Sequence, residues 1–320
     1  MRTLSGIQPS GSLHLGNYFG MMRPALELQH QGEALYFIAD YHALTTLHDA
    51  ATLRGNVRDV AIDFLAAGLD PKKTPFFRQS DIVAVAELSW ILTTVAPMGL
   101  LERCHSYKDK VAKGLPASVG LFSYPVLMAA DILAYESDLV PVGRDQKQHV
   151  EVARDLAVKM NETYGPLFKL PEPSIREEVA TIPGIDGAKM SKSYGNTIGL
   201  FLEENLFRKK VMSIKTDSTS VDEPKALEHS VILELYRHIA SPTDYNSMEE
   251  RFKKGGVGYG TFKKELFEAL WEYFLPMRKR REELLRDPGY VDVVLHDGAQ
   301  KANVIAHGVL ERVRRAVGLR

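Results

Sequence analysis

Cysteine is almost missing from this chain. Cys104 is the only one in 320 residues, which excludes an internal disulfide and any multi-cysteine zinc or iron–sulfur centre. An excess of one charge is missing too. Forty Lys and Arg stand against 41 Asp and Glu, a net charge of −1, so any nucleic-acid surface must be a local patch. There is no apolar run long enough to span a bilayer, and the start, "MRTLSGIQPSG", lacks the apolar core of a secretory leader. Internal repeats and low-complexity stretches are absent. The remainder is ordinary globular composition, 45% apolar and 25% charged, with ample core for one large or two modest domains. The expectation is a soluble protein of the reducing cytoplasm with no membrane association.

The first half alternates short apolar runs with helical patterns. "RTLS", "ALYFIAD" at 34–40, "TPFFRQS" at 74–80, "DLVPVG" at 138–143 and "ATIPG" near 180 read as strands. The unbroken apolar run at 34–40 suits a strand covered on both faces. Helical spacing links them over Thr52–Ala67 and from about Asp145 to Tyr164, and residues 80–135 are mostly helical. The alternation predicts an α/β, doubly wound parallel sheet with a helical insertion. From about Glu203 no strand pattern returns. "LEHSVILELYRHIA", "FKKELFEALWEYFLPMRKRREELL" and "GAQKANVIAHGVLERVRRAVG" read as amphipathic helices, so an all-α region follows.

Two stretches carry chemistry. "SGIQPSGSLHLGN" at 5–17 follows the first strand and opens a helix, where free backbone N–H groups face phosphate and where α/β sheets bind ligands. "GAKMSKSYGN" at 187–196 has neither apolar period nor strand alternation, yet places Lys189 and Lys192 on a glycine-flanked loop near the change of region, where a flexible linker is expected. Glycine clustering alone is an ordinary turn, and two lysines alone are an ordinary solvated loop. Together and in order, about 175 residues apart, they are specific. The five residues "KMSKS" arise by chance in roughly one chain in 10,000 of this length.

"HLGN" followed by "KMSKS" resembles the two signatures of class I aminoacyl-tRNA synthetases. "SGIQPSGSLHLGNYFG", "YPVLMAADILAY" and "VPVGRDQKQHVEVARDLA" narrow the resemblance to the tryptophanyl-tRNA synthetases of bacterial type, across nearly the whole chain. The resemblance implies a Rossmann-type catalytic domain over 1–192, with a dimerisation insertion at about 80–135. It also implies a helical anticodon-binding domain over 193–294 and a C-terminal helix over 295–320 that packs back on the catalytic part. The implied activity is ATP-dependent activation of L-tryptophan and transfer to tRNA(Trp) by a homodimer. Mg²⁺ would be held through the ATP phosphates rather than by a protein cage.

By the same resemblance, His14, Asn17, Lys110, Lys189 and Lys192 act on the phosphates. Gln8, Pro9, Ser10, Gly16, Gly143, Arg144, Asp145, Ile182, Met190, Ser191 and Ser193 complete the ATP site. Ammonium groups on flexible stems suit charge building on a leaving pyrophosphate, and a loop that closes and opens suits its release. Two departures stand out. Asn17 replaces the second histidine of the wider class and cannot become cationic. Arg144 replaces a Glu common in relatives, and its side chain is expected in solvent.

Indole offers a large apolar face and one N–H donor, so its pocket needs apolar walls and one buried acceptor. If "YPVLMAADIL" is helical, Tyr124, Met128 and Asp131 share a face. The resemblance places Asp131 on the indole N–H, Leu4, Met128, Val140 and Val142 as walls, and Tyr124 and Gln146 on the amino group. His42, just after a strand, either lines this pocket or stabilises a turn. Basic runs at "RKK" (208), "RKRR" (278) and "ERVRRAVGLR" are either solvated helix faces or RNA contacts. Three other readings compete: a small-molecule nucleotidyltransferase, a tyrosyl enzyme, and a binding paralogue without catalysis. The helical C-terminal region, the context of Asp131 and the intact lysines argue against them in turn.

Overall fold

Alternate residues of Ala34–Ile38 enter different cores, which is what an apolar run with period two does when both faces are covered. Ala34, Tyr36 and Ile38 join one cluster, while Leu35 and Phe37 join the other. A computed structural model describes residues 1–112, 118–143, 146–174 and 182–319. Five strands form one parallel sheet in the order β3-β2-β1-β4-β5: β1 Arg2–Ile7, β2 Glu33–Ile38, β3 Phe76–Arg78, β4 Leu139–Pro141 and β5 Glu172–Ser174. This is the order of a doubly wound sheet, whose ligand crevice lies beyond the carboxyl ends of the strands.

The helices between strands are α1 Leu15–Asn17, α2 Arg23–Leu28, α3 Asp40–Ala43, α4 Ala50–Ala66, α5 Val83–Val95, α6 Met98–Glu102, α7 His105–Ala112, α8 Val119–Leu133 and α9 Lys147–Tyr164. A π-helical turn, Tyr18–Met22, joins α1 to α2. Side-chain caps start the two helices that matter most for the site. Asp49 accepts from the Thr52 N–H at the start of α4, and Ser118 from the Leu121 N–H at the start of α8. Beyond β5 the described residues carry the helices α10 Glu204–Met212, α11 Val231–Arg237, α12 Pro242–Lys254, α13 Tyr259–Arg286 and α14 Pro288–Val317.

One expected strand is displaced. At "ATIPG", Ala180 and Thr181 lie outside the described residues, and Pro183 makes only an isolated bridge with Lys189. The fifth strand is "EPS" at 172–174, where Pro173 is opposite Val140. β5 is an edge strand, where a proline's missing N–H is tolerated.

The helix expected over 295–320 is the later part of α14. That helix crosses the β3 edge of the sheet at Gly298, where a Cβ would lie 2.1 Å from the Phe76 carbonyl oxygen. Val294 and Leu295 pack with Phe76 in one core, and Ala299 and Ala302 with Phe77 in the other. No helix among the described residues is long and apolar enough to cross a membrane.

Candidate active site

A cavity of about 450 Å³ opens beyond the carboxyl ends of β1, β2 and β4. Its lining includes all eight residues expected around a tryptophan: Leu4, His42, Tyr124, Met128, Asp131, Val140, Val142 and Gln146. Gln8 and Gly143, expected on the nucleotide, also line it. Tyr124, Met128 and Asp131 come from one face of α8, as helical spacing requires.

Asp131 is 1% exposed. Burial pushes its carboxyl above the usual carboxylate range, and hydrogen bonds from His42 and Gln79 pull it back. His42 Nε2 lies 2.9 Å from one carboxylate oxygen, and the Gln79 amide nitrogen 2.9 and 2.8 Å from the two oxygens. The amide of Gln79 is oriented in turn, because its oxygen accepts from the Tyr41 N–H at 3.1 Å. His42 therefore both lines the cavity and braces Asp131.

Gln79 escaped sequence reading. Its signal is position, since it follows β3 directly, as the α3 turn with His42 follows β2. His149, on the first turn of α9, was also missed; its Nε2 lies 3.0 Å from the Tyr124 hydroxyl and orients it. Asp40 holds the next turn by accepting from the Ser80 N–H at 3.0 Å.

The second cluster lies alongside. His14 caps α1 in a closed box: its backbone N–H donates to the Asn17 side-chain oxygen at 3.1 Å, and its Nδ1 accepts from the Asn17 N–H at 3.3 Å. With Nδ1 accepting, the neutral ring carries its proton on Nε2. Burial, and then the charge of Lys192, lower its pKa to about 4. Asn17 thus closes a cap, a task that needs no cation and accounts for an amide in place of a second histidine.

Lys192 donates to the Ser10 carbonyl at 2.8 Å, and burial lowers its pKa. Gly11, at φ +94, faces the same ammonium, 3.4 Å from where a Cβ would stand. Met190 is buried, its N–H donates to Ile182 at 2.8 Å, and its sulfur accepts from the Gly16 N–H at 3.2 Å. Lys189 is exposed, and Ser191 and Ser193 join their hydroxyls at 2.8 Å.

The expected flexible linker is a tied turn. Asn196, 2% exposed, accepts from the Ser191 N–H at 2.8 Å and donates to the Lys189 carbonyl at 3.1 Å. Pro9 is buried between Gln8 of the cavity and Ser10 of the lysine contact, so the two clusters adjoin. Arg144 and Asp145 lie outside the described residues, as does the side chain of Lys110 on α7.

The basic run at 278 also differs from expectation. Arg278 donates to the Leu202 and Leu200 carbonyls at 2.7 and 2.9 Å, and Arg281 to buried Asp63 at 2.7 Å. Half of "RKRR" is turned inward rather than offered to solvent or RNA.

The family profile described as "tRNA synthetases class I (W and Y)" matches residues 1–275. The chain is 51% identical to the tryptophan–tRNA ligase of Rhodopirellula baltica, over the whole of both chains. It is 50% identical to that of Fusobacterium nucleatum, over 99% of this chain and 98% of the relative. Its fold is similar to the crystal structure of the Campylobacter jejuni tryptophanyl-tRNA synthetase complexed with ADP and tryptophan. That likeness has a TM-score of 0.95 and 48% identity, covering 99% of this chain and all of the other.

Proposed function

Because the chain belongs to the tryptophanyl-tRNA synthetases of class I, we propose that Asp131 takes the indole N–H of tryptophan and that His14, Lys189 and Lys192 take the phosphates of ATP. The enzyme activates L-tryptophan with ATP to tryptophanyl-adenylate, releasing pyrophosphate, and transfers the tryptophan to tRNA(Trp).

One observation carries the assignment in the cavity. A carboxylate is buried among apolar walls, held from behind by His42 and Gln79, and still lines the open space. Of the two oxygens Oδ1 accepts from Gln79 alone and keeps a lone pair to spare, so an indole N–H adds to the network without displacing it. A ligand without that donor leaves the acceptor unpaired, a large penalty for a site built around it. Leu4, Met128, Val140 and Val142 wall the rings, and Tyr124 and Gln146 face the amino group.

In the first step the tryptophan carboxylate oxygen attacks the α-phosphorus of ATP. The bond to the β-phosphate oxygen breaks, and pyrophosphate leaves with the negative charge. No covalent enzyme intermediate is required; positioning and charge stabilisation carry the step. Neutral His14 offers its Nε2 proton to a phosphate oxygen, while Lys192 and Lys189 meet the charge on the leaving group. Gln8, Pro9, Ser10, Gly16, Gly143, Ile182, Met190, Ser191 and Ser193 shape the nucleotide site, and Arg144, Asp145 and Lys110 are assigned to it by resemblance alone. In the second step a terminal hydroxyl of the tRNA attacks the carbonyl and AMP leaves.

Mg²⁺ belongs to this reading as a companion of ATP. No group of three or more His, Cys, Asp or Glu among the described residues could hold a metal ion, and the resemblance assigns the ion to the phosphates. When bound it neutralises phosphate charge. The division into a catalytic unit over 1–192 and an anticodon-reading helical unit over 193–294 is part of the same reading, as is a cytoplasmic location.

So is a homodimer through the insertion at 80–135. Val83, Trp90, Met98 and Val119 are all more than 60% exposed there, an apolar surface of the kind that partners cover.

The deciding experiment is amino-acid-dependent exchange of labelled pyrophosphate into ATP, without tRNA, across the standard amino acids. Exchange with tryptophan alone is the expected result. Exchange with tyrosine would overturn the Asp131 assignment and leave the lysines standing.

A further inference from the structure

We propose that Arg278, on α13 of the helical region, is a positioning residue for ATP chemistry: it seats the strap Ile198–Leu202, which sets the register between His14 and the lysine turn. The strap is bonded to the first signature on one side. Leu15 N–H donates to the Ile198 carbonyl at 3.0 Å, Leu200 N–H donates to the Leu13 carbonyl at 2.9 Å, and Gly199 bridges His14. Two residues upstream, Asn196 holds the Ser191 and Lys189 backbone. The strap is therefore continuous in sequence with the lysine turn and hydrogen-bonded to the first signature.

Its other side belongs to Arg278. One guanidinium nitrogen takes the Leu202 carbonyl and another the Leu200 carbonyl, so residue 200 gives its N–H to the first signature and its C=O to α13. The guanidinium is fixed in place by rings: its carbon lies 4.1 Å from the Trp271 centroid and 5.1 Å from that of Phe207. One turn on, Arg281 anchors the same helix to α4 through Asp63 and covers Phe201 of the strap at 5.0 Å. A planar fork reaching two carbonyls two residues apart is a task for Arg; a lysine ammonium is a point donor. Arg278 touches no substrate. It acts through the strap.

The inference rests on the assignment of His14, Lys189 and Lys192 to ATP. The test is pyrophosphate exchange and tryptophan binding on the full-length Arg278→Lys and Arg278→Met proteins, with Lys192→Ala and Arg280→Ala alongside. Folding of each is checked by its thermal transition. The expected result is a loss of exchange of about tenfold or more in both Arg278 variants, from misregister at the phosphates, with tryptophan affinity in the absence of ATP unchanged. Lysine should recover part of what methionine loses. Arg280, whose side chain is 46% exposed, should be silent. Unchanged exchange in folded Arg278→Lys and Arg278→Met overturns the inference, and so does an equal loss of tryptophan affinity, which would mark a general structural role. If Lys192→Ala leaves exchange intact, the ATP assignment itself has failed.

Discussion

At the floor of the cavity Asp131 is 1% exposed and braced by two side chains, one of them oriented by a backbone N–H. On the lysine turn Lys189 and Lys192 are exposed, and Lys192 rests on a single carbonyl. The proposed roles account for the difference. A site that tells indole from phenyl needs an acceptor whose place is set before the ligand arrives, because discrimination comes from leaving it unpaired. A site that stabilises a leaving pyrophosphate needs cations that follow moving charge, so it fixes the backbone of the lysine turn, through Asn196, and leaves the ammonium groups their freedom.

The sharpest break in this comparison is Lys192→Ala. We expect exchange to fall by about 10² to 10³, the cost of losing one aimed donor in a charge-stabilising site, with tryptophan affinity intact. Asp131→Asn should do the converse. It places an amide against two donors and weakens the bond to indole, costing about 1.5–3 kcal/mol in kcat/KM for tryptophan with the KM for ATP little changed. A smaller effect is expected from Gln79→Leu, about tenfold in the KM for tryptophan, since His42 still braces the acid. If Gln79→Leu is silent, the acid is held by His42 alone and the bracing is less complete than drawn.

The smallest effects are in pH dependence, and their signs oppose. His14 has a folded pKa lowered from 6.5 to about 4. Its contribution to stability is present above pH 6.5 and fades as pH falls through about 4; its ring resonances should follow that low midpoint. Asp63, between α4 and α13, is raised from 3.8 to about 6 by burial, against the pull of Arg281. Its contribution is full below pH 3.8 and lost as pH rises through about 6, so Asp63→Asn should flatten the decline in melting temperature over that range.

Local pattern carried the reading where local physics decides. Ala34–Ile38 is apolar throughout because both faces are covered, and Tyr124, Met128 and Asp131 meet because a helix repeats every three to four residues. Other features depend on partners far along the chain. Gln79 looks like any glutamine until α8 brings Asp131 to it from 52 residues away. Arg278 and Arg281 look like a solvated basic run until Leu200 and Asp63 arrive, 78 and 218 residues distant. The strand "EPS" was hidden for a different reason: its proline argues against a central strand and says nothing about an edge.

The crossing of α14 over β3 also bears on how the chain is made. Asn303 of α14 donates to the Asp81 carbonyl just past β3, and 222 residues separate them. During synthesis β1, β2 and β3 emerge with their shared edge bare and both cores open at that side. The cover arrives only after α10–α13 have been translated. A nascent sheet in that condition offers unpaired strand groups to any neighbour. Gly298 sets the final fit, because the helix lies against the Phe76 backbone with no room for a methyl group. A Gly298→Val chain should therefore reveal itself first as poor yield and aggregation during expression, before any defect in the purified enzyme, and lowering the growth temperature should relieve it.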